Sequence, residues 1–137
     1  MVAYSFKPRF VEPIRIGLSK VSLSFDCPPK RQTIRAIGKR RHALPGETLQ
    51  LYTGMRTKQC DKIGDARCIS VEPIVIKVPK DDYWLWVRIG QGDEFEAGDE
   101  FAIADGFRDI EDMWSFWRKE HPDAATFKGV LIKWEPL

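Results

Sequence analysis

Residues 30–42 read KRQTIRAIGKRRH, six Lys or Arg side chains and one histidine gathered around a single threonine with no acid among them. Such density suits either a solvated loop or an anion site, and the anion that best matches it is a nucleotide or an RNA strand. Thr33, Ile34 and Arg35 favour a strand. In a strand Thr33, Arg35 and Ile37 share one face, while Gln32, Ile34 and Ala36 share the other. Arg35 would then sit beside the Thr33 hydroxyl, able to grip a phosphate or carboxylate with two N–H groups. Lys39, Arg40, Arg41 and His42 make a compact basic loop suited to phosphate contacts, which position a polyanion without reading its sequence. Arg56 and Lys58, just past LQLYTG, would extend the patch, and Tyr52 offers a ring on which a base can stack. Each has a plainer explanation as well: an edge cation, a solvated hairpin, a core tyrosine.

The wider composition narrows the field. The chain has 137 residues, 43% hydrophobic and 31% charged, which predicts one folded domain spanning residues 1–137. No run of eighteen apolar residues occurs and MVAYSFKPRF lacks the apolar core of a signal peptide, so a cytoplasmic protein without a membrane partner is expected. Cys27, Cys60 and Cys68 lack CxxC spacing, so neither a disulfide framework nor a metal site is expected. No cofactor is expected either, since phosphate-loop and dinucleotide fingerprints are absent. The net charge of +2 hides an asymmetry. Between Lys30 and Lys62 lie nine Lys or Arg against two acids, and between Asp93 and Asp112 nine acids against one base. A bipolar molecule can draw a polyanion to one side and repel it from the other.

The elements that must position these residues are mostly strands. Val2, Tyr4 and Phe6 alternate, and Lys7-Pro8 ends that strand. FVEPIRIGL predicts a short helix, with Pro13 early and Gly17 near its end. VSLSFDC alternates at Val21, Leu23 and Phe25, as a short strand or extended loop. QTIRAI, residues 48–53, and YWLWVRIG predict strands. DARCISVEPIVIKVP predicts a long one, broken or bulged at Pro73. Ile110, Met113, Trp114 and Trp117 fall on one helical face, capped by Asp109 and stopped by Pro122. TFKGVLIKW closes the chain as a strand. With helices early and late, the expected class is α+β, a small mixed or antiparallel barrel flanked by two or more helices.

Taken in order, SFKPRF, KRQTIR, PGETLQLYTGMRT, a β-rich centre, FAIADGF and FKGVLIKW resemble an ASCH domain of the PUA-like superfamily. The resemblance covers nearly the whole chain. Its specific parts are the Lys-x-x-Thr-x-Arg element (Lys30, Thr33, Arg35), the turn at Pro45, Gly46 and Glu47, and the acid-Gly-Phe element at Asp105, Gly106 and Phe107. One departure stands out: residues at about 18–29 read as an insertion near the mouth of the expected cleft. The resemblance implies a PUA-like β-barrel with a helix-flanked cleft and an RNA-linked role.

Some members are amidohydrolases of N4-acetylated cytidine. In those, the counterparts of Lys30 and Thr33 act together with a glutamate, whose place here falls to Asp105, one methylene shorter. The roles are chemically coherent. A threonine hydroxyl needs a base to become a nucleophile, and a lysine whose pKa is lowered by burial or by nearby cations can be that base. Asp105 would orient the lysine or pass a proton to the leaving amine. Gly106 would allow the turn that delivers Asp105, and Phe107 would wall the cleft or stack on a base. Three expectations follow. The first is RNA or nucleotide binding in a basic cleft. The second is amide hydrolysis on an acylated nucleoside by Lys30, Thr33 and Asp105. The third is a protein-interaction module docking through the acidic third. A two-histidine ribonuclease is not expected with only His42 and His121 available.

Overall fold

The computed structural model describes residues 2–19, 27–80, 84–122 and 125–137. The alternating segment at residues 21–25 therefore lies outside the described residues. The fold is α+β: strands β1 (Val2–Phe6), β2 (Gln32–Ala36), β3 (Thr48–Thr53), β4 (Asp61–Lys77), β5 (Trp86–Ile89), β6 (Phe95–Glu96) and β7 (Thr126–Pro136) with helices α1 (Val11–Leu18), α2 (Asp99–Ala104) and α3 (Ile110–Glu120). Among the described residues no helix is long and apolar enough to cross a membrane.

The long strand β4 is the spine. Its first part pairs antiparallel with β3, from Thr48 opposite Arg67 to Thr53 opposite Asp61, and β3 in turn holds β1 in parallel. The last part of β4 pairs with β5, and its other edge carries β7 from Ala66 opposite Pro136 to Lys77 opposite Thr126. Strand β2 joins β7. The sheet is therefore mixed, and among the described residues no ladder joins β1 to β2. A side chain spans that seam instead: an Arg35 terminal nitrogen donates to the Ser5 carbonyl at 2.7 Å.

Strand β4 runs unbroken through Pro73, and its two irregularities fall earlier, between Lys62 and Gly64 where it pairs with β3 and between Cys68 and Ser70 where it pairs with β7. Pro73 turns its carbonyl toward Gly90 N at 2.8 Å, on the β5 side. One residue's N–H and C=O point to the same edge, so the missing N–H removes no bond to β7. The extra residue on the β7 side is Ile69, whose side chain points out and is 48% exposed.

Both sheet faces contribute to the core, since the neighbours Leu131 and Ile132 of β7 point to opposite faces and are 1% and 0% exposed. Leu49, Leu51, Ile74, Ile76, Val87 and Ile132 meet Ile14 of α1 and Met113 of α3, all at most 1% exposed. Helix α3 follows its pattern: Asp109 caps it by accepting from Asp112 N at 2.8 Å, with Glu111 and Asp112 in the first turn and Arg118 and Lys119 in the last. Helix α1 tolerates Pro13 because N–H groups of a helix's first turn have no intrahelical partner.

Candidate functional site

Lys30 is held against helix α1. Its N–H donates to the Pro13 carbonyl at 2.9 Å. The next residue, Arg31, donates from Nε to the Gly17 carbonyl at 2.8 Å and from a terminal nitrogen to the Ser19 carbonyl at 3.2 Å. A cation thus satisfies the free carbonyls and negative dipole end of α1. Gly17 is what allows the approach: a Cβ there would lie 2.3 Å from the Lys30 carbonyl oxygen. The backbone of residue 30 is therefore fixed before its side chain does anything.

That side chain is buried. Lys30 is 2% exposed, Thr33 5%, Asp105 5% and Gln32 6%. The Lys30 ammonium donates to the Asp105 carbonyl and stands 3.6 Å from its Oδ1. Gln32 Nε2 donates to the same Oδ1 at 3.3 Å. Asp105 ends α2, and Gly106 follows with φ +98, the left-handed conformation that closes many helices. A Cβ at Gly106 would come within 2.7 Å of Lys30 Cδ and 2.9 Å of Phe10 Cδ1, so the glycine also makes room for the lysine.

Burial governs the charge states. It pushes the Lys30 pKa below its ordinary value, with Asp105 opposing and the Arg35 cation adding to the fall. It pushes the Asp105 pKa up, with Lys30 and Gln32 opposing. Desolvation thus drives both partners toward neutrality, which gives Lys30 a usable lone pair at lower pH than a surface lysine has.

Thr33 and Arg35 share a face of β2, as strand alternation predicts. Arg35 Nε donates to Thr33 Oγ1 at 3.1 Å, which leaves the hydroxyl proton free to go elsewhere. The guanidinium lies 4.6 Å from the Phe6 ring centroid and 5.2 Å from that of Tyr4. Lys30 Nζ lies 4.8 Å from the Phe10 ring. These cations are held by aromatic faces as well as by hydrogen bonds.

Lys30, Thr33, Arg35 and Asp105 line one pocket of about 190 Å³, walled by Phe6, Phe10, Phe107, Phe116 and Trp117. Sites for drug-sized ligands run to roughly 300–1,000 Å³; this one takes a single ring-sized group. Phe107 stands edge-on to Phe10 with centroids 5.4 Å apart, and its other side faces a larger hollow of about 760 Å³. Cations of that hollow, Arg9 and Arg108, are already paired with Asp112.

Other residues singled out by type lie elsewhere. Arg56 and Lys58 are exposed in the turn after β3, and Tyr52 is half-buried with Lys62 Nζ 5.9 Å from its ring. None of the three lines the pocket. Lys39, Arg40, Arg41 and His42 lie on the loop after β2, outside the pocket, and the last three share the lining of a neighbouring cavity with Arg35. Arg41 grips Glu47 with two bonds of 2.6 and 2.8 Å. Glu47 also accepts from Leu44 N at 2.7 Å. Gln32, Phe6, Phe10 and Phe116 join the site without having drawn attention to themselves. The parity of β2 points Gln32 away from Thr33, and only the return of α2 brings Asp105 to it. The SFKPRF spacing was the available signal for Phe6 and Phe10. Among the described residues no group of three His, Cys, Asp or Glu side chains could hold a metal.

The Arg41 bond holds the Glu47 carboxyl at about 2, below its usual 4.5. A depressed folded-state pKa contributes stability that is present above the unfolded value and lost as pH falls through the folded one. The melting-temperature difference between wild type and Arg41→Gln should therefore be constant above pH 4.5 and vanish toward about 2. A difference that disappears well above that range would mean the clip does not hold the loop.

No protein-family model, curated protein or solved structure matches this chain. The class stands on the fold and the site alone: an α+β protein with a buried Lys–Asp pair, a Thr–Arg pair and an aromatic frame around one small pocket.

Proposed function

We propose that the chain is an ASCH-type, PUA-like domain that takes one nucleobase, modified or free, into the pocket of Lys30, Thr33 and Asp105. The observation that carries this reading is the pocket itself, a ring-sized cavity with four buried polar side chains at or beside its floor and five aromatic walls. Flat walls favour a planar heterocycle, and the polar floor offers donors and acceptors to its edge. The Arg35 bridge across the β1–β2 seam supports the barrel-like curl that a PUA-like domain requires. Calorimetric titration with N4-acetylcytidine, cytidine and uridine tests it. Saturable binding of one of them, weakened at least about 10-fold by Asp105→Asn, is expected from the loss of a charge-assisted contact. Absence of binding by all three would reject the pocket.

A second reading, amide hydrolysis on an N4-acylated cytidine, is favoured by one feature: Lys30, whose pKa burial lowers, lines the same pocket as Thr33. Lys30 would accept the Thr33 proton as Oγ1 adds to the acyl carbon. The proton would pass to the departing N4 amine, and water would release the acyl group from threonine.

A further inference from the structure

We infer that a second chamber beside the pocket holds the phosphate of the same ligand, so that the site is built for a nucleotide phosphate ester and not for a free nucleoside. This rests on the nucleobase reading of the pocket. The chamber measures about 510 Å³ and is lined by Tyr4, Arg35, Arg40, Arg41 and His42, with no acid in its lining. Arg35 lines both cavities. It turns Nε to Thr33 Oγ1 and one terminal nitrogen to the Ser5 carbonyl, and its Nη1 has no hydrogen-bond partner among the described residues. A ligand whose base reaches Thr33 meets Arg35 next, and the chamber lies beyond it.

The chamber's loop is already fixed. His42 bridges Tyr4 OH at 3.0 Å and the Ala36 carbonyl at 2.8 Å, and its ring stacks on Tyr4. Since a carbonyl only accepts, His42 Nε2 carries the proton and Nδ1 accepts from the tyrosine. Arg41 is clamped to Glu47. Arg40 precedes these two anchored residues, is exposed, and has no partner among the described residues. A free guanidinium on a pre-ordered loop is a phosphate ligand whose ordering cost has been met before binding. The bare cations of Arg56 and Lys58 lack this arrangement, because neither lines the pocket or the chamber.

The test compares N4-acetylcytidine, its 5′-monophosphate, a trinucleotide carrying the modified base at its centre, and inorganic pyrophosphate, all by calorimetry. The monophosphate or the trinucleotide should bind about 10- to 100-fold tighter than the nucleoside, the worth of one or two charge-assisted bonds. Preference between those two tells a free nucleotide from a strand. Arg40→Ala should bring the phosphorylated ligands down to the nucleoside's affinity. Lys128→Ala, an exposed cation of β7 outside both cavities, should keep the gain. Equal affinity of nucleoside and phosphorylated ligands would overturn the phosphate chamber and leave the pocket reading standing. Pyrophosphate binding that Arg40→Ala abolishes, with no nucleoside binding, would uphold the chamber and sink the pocket. Binding of no ligand at all would overturn both.

Discussion

Lys30→Met alone should cost about 3–5 kcal/mol of stability, the usual price of stranding one charge of a buried pair. Lys30→Met combined with Asp105→Asn should regain most of it. The reason lies in the accounting of polar atoms. With the lysine gone, Asp105 keeps only Gln32 Nε2 as partner for a carboxylate 5% exposed. Asparagine at 105 keeps an oxygen for that bond and carries no charge, and methionine refills the lysine's apolar stem space. The single variant's loss should also depend on pH in a definite direction. A carboxyl whose folded pKa is raised above its ordinary 3.8 loses stability as pH climbs from that value through the raised one. Against wild type, whose own Asp105 pKa is already raised, urea titrations of the single variant should therefore show a deficit that grows with pH only above the wild type's raised value, where the unpaired carboxyl still holds its proton, and then levels off. The double variant should show a small, flat deficit and bind no ligand. A nearly neutral single variant would mean that the pair is not an ion pair in the folded state. A double variant as unstable as the single would mean that packing, not charge, is what Lys30 supplies.

The buried pair also explains how far the sequence could be read. Strands β1, β2, β3 and β7 and helix α3 were legible because their apolar residues repeat at the period of the element they form, and Asp109 marks the start of α3 without ambiguity. Helix α2 was not, since six residues give less than two turns of pattern and FAIA reads equally well as the end of a strand. The bulge at Ile69 was hidden by Pro73, the more conspicuous irregularity, whose absent N–H turns out to face the side where no bond to β7 is lost. At the site, Lys30, Thr33 and Arg35 stand within six residues and could be grouped by eye. Asp105 lies 75 positions from Lys30 and could be joined to it only through a resemblance. Gln32 shows the limit of strand parity, for it faces away from Thr33 and still reaches the partner of Lys30. The charge run groups residues that the fold separates: Arg56 and Lys58 belong to the same basic stretch of sequence as Lys30, and the turn after β3 carries them away from the pocket.

Thr33→Val carries the largest functional consequence. Valine has the shape of threonine without its hydroxyl, so the buried site keeps its packing and loses one oxygen. Arg35 Nε loses its acceptor, at a cost of about 1–3 kcal/mol that should leave the protein folded. If the pocket hydrolyses N4-acetylcytidine, release of cytidine by Thr33→Val should fall at least about 100-fold, while Thr33→Ser, which restores the hydroxyl, should retain turnover. The wild-type rate should rise with pH as Lys30 loses its proton, and should level off below the 10.5 of an ordinary lysine, because burial moves that loss to lower pH. If the pocket only binds, the wild type releases no cytidine at any pH, and Thr33→Val weakens affinity by about 10-fold, the worth of one hydrogen bond. The two readings part at the serine variant: a nucleophile can be exchanged for its homologue and still turn over, whereas a binding hydroxyl leaves no product to measure.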